Sequence, residues 1–528
     1  MTINNIETIE QKFQIEIMLL KQQIEALQGV IQNYEELLRL AAHKRFGRSS
    51  EKHIITNQIS MFDDDINKDE EKTSEVEPVM EQVTYKRRKR KGFRKEQYEG
   101  LPIETIVYSL PMEDQVCDCC SGQLHEMSKE IRKEVVIVPA QLKIVEHVKI
   151  VYGCRRCEKE EISVPIKTAT APRPALPGSP ASASAIAYVM SQKFVECMPL
   201  YRMEKHFERM GIILSRQTMS NWLLSASEKW LKQLYDYLKK ELLKLDILHC
   251  DETELQVLSE PGKSAQSKSY MWLYRSGIYD PPIILYDYQP SRAGECPKKF
   301  LEGYSGYGHV DGYKGYNKVK NIILSACWAH ARRAFVDALK ALPKNISKDN
   351  IALTISNKGL EYCDKLFEIE RLLKEFTPEL RYEERLKRSK PLLEEFKVWL
   401  DYYYIRTLPK SPAGKAIRYC INIWNKLIVF LKDGRLEISN NRAERTIKSL
   451  VLSRKNFLFC KTQRGANACA VIFSIVETAK ENSLNPFEYL KYLFEKMPNI
   501  DILNDEVFSQ LVPWAADLPE SVKVPKKE

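Results

Sequence analysis

Two apolar runs, each closed by an aspartate, set the strongest limit on how this chain folds. Leu245-Asp246-Ile247-Leu248-His249-Cys250 runs into Asp251, and Gly308-His309-Val310 runs into Asp311, with Gly312-Tyr313-Lys314-Gly315 as a turn behind it. Short apolar runs bounded by turn residues read as buried strands, so both aspartates are expected at strand ends. Two more strand-like runs, Tyr270–Arg275 and Pro282–Tyr288, lie between them, and a fifth, Ile322–Trp328, follows. A helical piece, Lys298–Leu301, precedes the fourth strand, and a helix is predicted from His330.

Three hairpin strands followed by two strands with helical crossovers resemble the layout of a ribonuclease-H-like domain, and that resemblance implies that the first and fourth strands are neighbours. Asp251 and Asp311 then meet at one sheet edge.

A third acid, Glu444, stands in Ser439-Asn440-Asn441-Arg442-Ala443-Glu444-Arg445-Thr446-Ile447-Lys448, a pattern that opens a helix. Two strand-borne aspartates and a helix-borne glutamate can hold a pair of hard divalent cations, which catalyse in-line displacement at phosphorus. Each acid also has a plain alternative as a cap or turn former. Glu252, Glu254, Asp287, Asp433 and Glu437 are neighbouring acids with no role evident from sequence; Glu437 is the nearest rival to Glu444 but lacks the Asn-Asn-Arg-Ala context before it. His330 and Arg333 would orient a carboxylate or touch a phosphate, or else pack and pair on the helix face. Arg442, Arg445 and Lys448 flank Glu444 and are candidates for the DNA backbone, with Lys455, Lys461 and Arg464 extending that surface.

At 528 residues, the chain needs several cores. Its net charge of +10 is mild at this size, but the charge is concentrated. No apolar stretch is long enough for a membrane span, and no secretory signal is expected at the N-terminus. Ile17, Leu20, Ile24, Leu27, Ile31, Tyr34 and Leu38 step alternately by three and four, a coiled-coil seam suited to a dimer or to packing on its own domain. An acidic run from Asp63 to Glu77 precedes the basic block Lys86-Arg87-Arg88-Lys89-Arg90-Lys91. Such opposed blocks make a charged linker, in which Arg87, Arg88 and Arg90 would grip phosphates or merely balance the acids.

Cys117-Asp118-Cys119-Cys120 and Cys154-Arg155-Arg156-Cys157 form two C-x-x-C pairs around alternating apolar residues. That spacing predicts a zinc-ribbon-like module holding structural Zn2+ through Cys117, Cys120, Cys154 and Cys157, with Cys119 able to replace either neighbour. Arg155 and Arg156 would offer charge to DNA. The Pro-rich segment Thr168–Pro180 marks a domain boundary. Beyond it, Leu200–Met210, a turn at Gly211, and a Ser215-capped helix resemble a helix-turn-helix, in which Arg216, Gln217 and Asn221 would face DNA. An ordinary helical hairpin fits the same pattern.

These segments, in this order, resemble a transposase of the insertion sequence 66 family, within the DDE group. The resemblance runs through Lys44-Arg45-Phe46-Gly47-Arg48-Ser49-Ser50-Glu51-Lys52, the cysteine module, Cys327-Trp328-Ala329-His330-Ala331-Arg332-Arg333-Ala334-Phe335, the stretch around Glu444, and Lys461-Thr462-Gln463-Arg464-Gly465-Ala466. It implies a multidomain α+β protein with a ribonuclease-H-like core whose catalytic triad is Asp251, Asp311 and Glu444. Two Mg2+ ions, replaceable by Mn2+, would serve cleavage at transposon ends and strand transfer into target DNA. A homodimer or higher oligomer is expected, as are small companion proteins of the same element and a bacterial cytoplasmic, nucleoid-associated location. The expected layout is a coiled coil (1–46), charged linker (47–100), zinc module (101–167), Pro-rich linker (168–182) and helix-turn-helix-like region (183–243). The core (244–339) follows, then a helical insertion (340–410), the second part of the core (411–480) and a C-terminal segment (481–528). A DNA-binding regulator derived from a transposase but without catalysis is the alternative, and a nuclease that cuts without joining is another.

Overall fold

The computed structural model describes residues 105, 141–152, 167–342, 351–501 and 504–525. The coiled-coil seam, the basic block with Arg87, Arg88 and Arg90, and the cysteine pairs with Arg155 and Arg156 all lie outside the described residues. The chain divides between Thr170 and Ala171. On the N-terminal side, β1 (Val151–Tyr152) and β2 (Lys167–Thr168) form a short antiparallel pair.

The larger unit begins inside the Pro-rich segment, which is docked on it: Ala175 and Leu176 are buried and the Trp230 indole donates to the Ala175 carbonyl at 2.7 Å. Three helices follow, α1 (Ala183–Phe194), α2 (Leu200–Arg209) and α3 (Arg216–Ala226). Gly211 adopts φ +84° in the turn, and Ser215 caps α3 by accepting from Thr218 N at 3.1 Å. A π-helical turn then leads into α4 (Lys232–Leu242).

The sheet comprises β3 (Ile247–Ser259), β4 (Lys268–Ser276), β5 (Ile284–Gln289), β6 (Gly306–Val310) and β7 (Ile322–Ala326), with α5 (Glu295–Phe300) between β5 and β6. Its order is β5-β4-β3-β6-β7, antiparallel through β3 and parallel from there on. The first and fourth strands are therefore neighbours. One expectation is corrected: Asp251 does not end its strand. β3 continues to Ser259 because its partner β4 pairs with it as far as Gln256, and a late strand, β8 (Cys460–Thr462), joins it beyond that.

After β7, α6 (Trp328–Lys340) begins, and the region beyond it is helical: α7 (Ile355–Leu372), α8 (Pro378–Glu384), α9 (Lys390–Tyr404), α10 (Pro412–Asn422) and α11 (Trp424–Leu427). These helices share an aromatic core of Trp328, Phe335, Tyr362 and Phe396. Then come α12 (Asn441–Phe457), β8, α13 (Gln463–Glu481) and α14 (Pro486–Lys496). Helix α13 covers the outer edge of the sheet. Ile284 N donates to Thr478 Oγ1 and Tyr286 N to Ser474 Oγ, so the open strand β5 is satisfied by side chains instead of another strand.

The helical region also fixes the loop that leads into α12. Arg385 is fully buried, paired with Glu370, and donates to the carbonyls of Phe430, Asp433 and Leu436. Beside it, a Cβ on Gly434 would lie 1.7 Å from the Pro378 carbonyl oxygen, so no larger residue fits without moving backbone. Removing one partner of a buried ion pair costs about 3–5 kcal/mol, against about 0–1 kcal/mol for an exposed one. Arg385→Ala should therefore lower the thermal midpoint markedly. Arg388→Ala, whose Glu384 pair is solvent-exposed, should barely move it. Differential scanning calorimetry checks the contrast.

Candidate active site

The β3–β6 register brings the two aspartates together. His249 lies opposite His309 in a parallel pair, so Asp251 and Asp311, two residues further on, sit at the same level. Asp311 is the first residue past β6. Its Oδ1 accepts from Tyr313 N at 2.8 Å, and its carbonyl accepts from the Tyr419 hydroxyl at 3.0 Å. Gly312 turns the chain away at φ +100°. Glu444 lies in the first turn of α12, a helix packed on β3.

Asp251 feels the other two acids. Burial pushes the Asp251 carboxyl up to about 8. The amide of Glu252 opposes this, and the charges of Glu252, Asp311 and Glu444 add to it. Two aspartates at matching register on neighbouring strands, one of them raised by burial and by the charges of Asp311 and Glu444, are oxygen donors of the kind that suits a hard divalent ion.

His330 and Arg333, from α6, flank the third acid. His330 Nδ1 is 3.7 Å from Glu444 Oε1, and Arg333 Nη2 is 3.6 Å from Glu444 Oε2. Both distances exceed hydrogen-bond length, and His330 Nδ1 and Glu444 Oε1 are buried without a hydrogen-bond partner. Cys327 Sγ, His330 and Glu444 present ligand atoms all within 4.8 Å of one another. Arg445 and Lys448 are exposed on α12. Arg442 is not presented to solvent in that way: it pairs with Glu437 at 3.1 Å and Glu481 at 3.5 Å. Arg216, Gln217 and Asn221 are exposed on α3, with Gln217 Nε2 donating to Asn221 Oδ1. Lys461 is exposed, and Arg464 pairs with Glu228 at 2.6 Å.

Two of the neighbouring acids acquire roles that sequence did not show. The Glu252 side chain is only 2% exposed, paired with Arg292 and accepting from the Tyr316 hydroxyl at 2.9 Å. Burial raises its carboxyl and Asp311 adds to the rise, against the bonds from Arg292 and Tyr316. Glu437 lies 3.0 Å from His249 Nε2. Burial alone would raise Glu437, but His249 and Arg442 hold it well below the ordinary carboxylate range. Local sequence carried no sign of either, because Arg292, Tyr316 and His249 are distant in the chain.

With this geometry in view, comparison with known proteins is direct. Residues 178–468 match the family described as Transposase IS66 family, residues 114–158 the zinc-finger binding domain of transposase IS66, and residues 474–514 the IS66 C-terminal element. Residues 33–106 match the family described as Transposase C of IS166 homeodomain. The uncharacterized protein y4jD of Sinorhizobium fredii is 30% identical over 421 residues, covering 76% of this chain and 78% of its own length. The uncharacterized protein y4hP of the same organism is 28% identical over 443 residues, covering 81% and 77%. The chain belongs to the IS66 family of transposases. All four paired cysteines fall inside the zinc-finger match. Among the described residues, no helix is long and apolar enough to cross a membrane.

The raised Asp251 gives a stability prediction with a definite sign. An unfolded Asp releases its proton near 4, whereas the folded one keeps it to about 8. Stability of the metal-free protein should therefore fall as pH rises between those values and level off above them. Asp251→Asn carries no charge to bury. Its thermal midpoint without added metal should exceed the wild-type value by a margin that grows across that window and then stays constant.

Proposed function

We propose that this chain is the transposase of its own insertion sequence, cutting phosphodiesters at the element's ends and joining the freed 3′-hydroxyl to target DNA. The observation that supports the reading is the placement of Asp251 and Asp311 at matching register on neighbouring strands, with the Asp251 carboxyl pushed up by burial and by the charges of Asp311 and Glu444. The sheet order supports a ribonuclease-H-like core, with the helices from α7 to α11 inserted before α12. Asp251, Asp311 and Glu444 would hold two Mg2+, or Mn2+ in their place. When bound, the ions supply charge neutralisation for both the attacking and the leaving oxygen.

The chain's own residues do the rest. The carboxylates accept and place positive charge, and Arg333 beside Glu444 would engage a phosphate next to the reacting one. Arg445 and Lys448 face solvent on the same helix and would hold the DNA backbone. The exposed face of α3, with Arg216, Gln217 and Asn221, would contact the element's ends. Cys117, Cys120, Cys154 and Cys157 would bind one structural Zn2+, and the N-terminal heptads would pair two copies so that both ends are held together.

Strand transfer with pre-cleaved end DNA and Mg2+ or Mn2+ tests the chemistry. Joined product should form with wild type and be abolished in Asp311→Ala. End binding without joining, even after the element's companion proteins are added, would overturn the catalytic reading in favour of a regulator.

The DNA surface makes a separate prediction. Each lost phosphate contact lowers the slope of log affinity against log salt by about 0.9. Replacing Arg445 and Lys448 together by Ala should therefore flatten that slope by nearly twice this amount in a fluorescence-anisotropy titration.

A further inference from the structure

Beneath the aspartates, a fully buried polar cluster ties together the elements that carry the acids. Asn440 is 0% exposed and immediately precedes α12. Its side-chain Nδ2 donates to the Cys250 carbonyl at 2.8 Å, the peptide that leads into Asp251. Its Oδ1 faces His249 Nδ1 at 3.0 Å. Because Cys250 O can only accept, the amide orientation is fixed, and His249 Nδ1 must carry the proton it donates. The backbone N of Asn440 donates to Cys327 Sγ at 3.1 Å, three residues before His330, and its carbonyl accepts from Glu444 N at 3.1 Å. One residue thus bonds to the strand of Asp251, to the start of α6 and to Glu444 itself.

The surroundings keep this cluster rigid. The His249 ring stacks on His309 at 4.6 Å with an interplanar angle of 9°. Each histidine lies two residues before one of the aspartates, on the same strand face. His249 Nε2 meets Glu437, which binds Arg442, and Arg442 and Arg275 both reach Glu481. Asn440, His249 and His309 are fully buried and cannot reach DNA, and an apolar residue at 440 would fill the same space without desolvating an amide. The side-chain amide ties the residue before α12 to β3 through Cys250 and His249, while its backbone meets Cys327 and Glu444. A buried amide of this kind is costly to keep unless its geometry matters.

We infer that Asn440 is a positioning residue: it sets the distance of Glu444 from Asp251 and thereby the cation affinity of the site. This rests on the proposed metal-dependent reading, and losing such a supporting partner typically costs roughly tenfold to a hundredfold in metal affinity.

The test uses full-length, zinc-loaded protein and two variants, Asn440→Ala and Asn440→Asp. Asn440→Asp keeps the shape and the oxygen facing His249 but sets an acceptor against the Cys250 carbonyl. Two readouts are taken: the Mn2+ concentration giving half-maximal strand transfer, and the rise in thermal midpoint on adding Mn2+. Both variants should need roughly tenfold or more Mn2+ and show a smaller Mn2+-induced rise, with saturating Mn2+ restoring part of the product.

A lower midpoint with unchanged Mn2+ dependence would reduce Asn440 to a structural role and overturn the inference. If Asn440→Ala does not fold, Asn440→Asp decides alone. If neither variant folds, Asn440 is a folding requirement and the positioning claim fails. Wild-type protein with no Mn2+ response in either readout would bring down the metal-dependent reading itself, an outcome distinct from unaffected variants beside a responsive wild type.

Discussion

Like charges placed together out of water must be compensated, and the organisation of this protein around β3 follows from that constraint. Asp251 is shielded beside Glu252, Asp311 and Glu444, and its carboxyl holds a proton far above the ordinary range as a result. A group in that condition destabilises the metal-free fold near neutral pH and rewards any ligand that brings positive charge. Part of the charge is answered internally, because Arg292 and Tyr316 take up Glu252. Among the described residues, no cationic side chain takes up Asp251 or Asp311 in the way that Arg292 takes up Glu252, and under the proposed function a cation would answer their charge.

The rest of the unit can be understood as support for this unfavourable grouping. The long β3 is stiffened by β4 along most of its length and by β8 at its far end. The helical region from α7 to α11 is far from a passive insertion. Through Arg385 and the tight approach at Gly434 it fixes the loop before α12, and so the point from which Glu444 enters the site. Membership of the IS66 transposase family gives this arrangement its context.

Much of this was legible in the sequence, for identifiable physical reasons. The strands announced themselves as apolar runs between turn residues, and the likeness of their layout to a ribonuclease-H-like fold placed Asp251 and Asp311 on neighbouring strands, as the β3–β6 pairing has them. Ser215 was readable as a cap because its role is local. The full length of β3 was not, since the residues after Asp251 alternate acids with apolar side chains and are held in a strand by β4 and β8. Glu437 was legible only as a rival to Glu444, and its pairing with His249, like that of Asn440 with Cys250, was hidden because these partners lie far earlier in the chain. Arg442 looked like a DNA contact from its position beside Glu444, but Glu437 and Glu481 claim its charge. Sequence shows which residues carry charge, whereas only the packed structure shows where that charge is already satisfied.

The most direct test of the account is Mn2+ binding to the zinc-loaded protein, followed by electron paramagnetic resonance, with wild type beside Asp251→Asn. If the buried carboxylates are a cation site, wild-type protein should bind Mn2+ saturably, and the variant should bind it much more weakly while remaining folded. Equal binding by the two proteins would contradict the account, because the charge buried at Asp251 would then have some purpose other than holding metal.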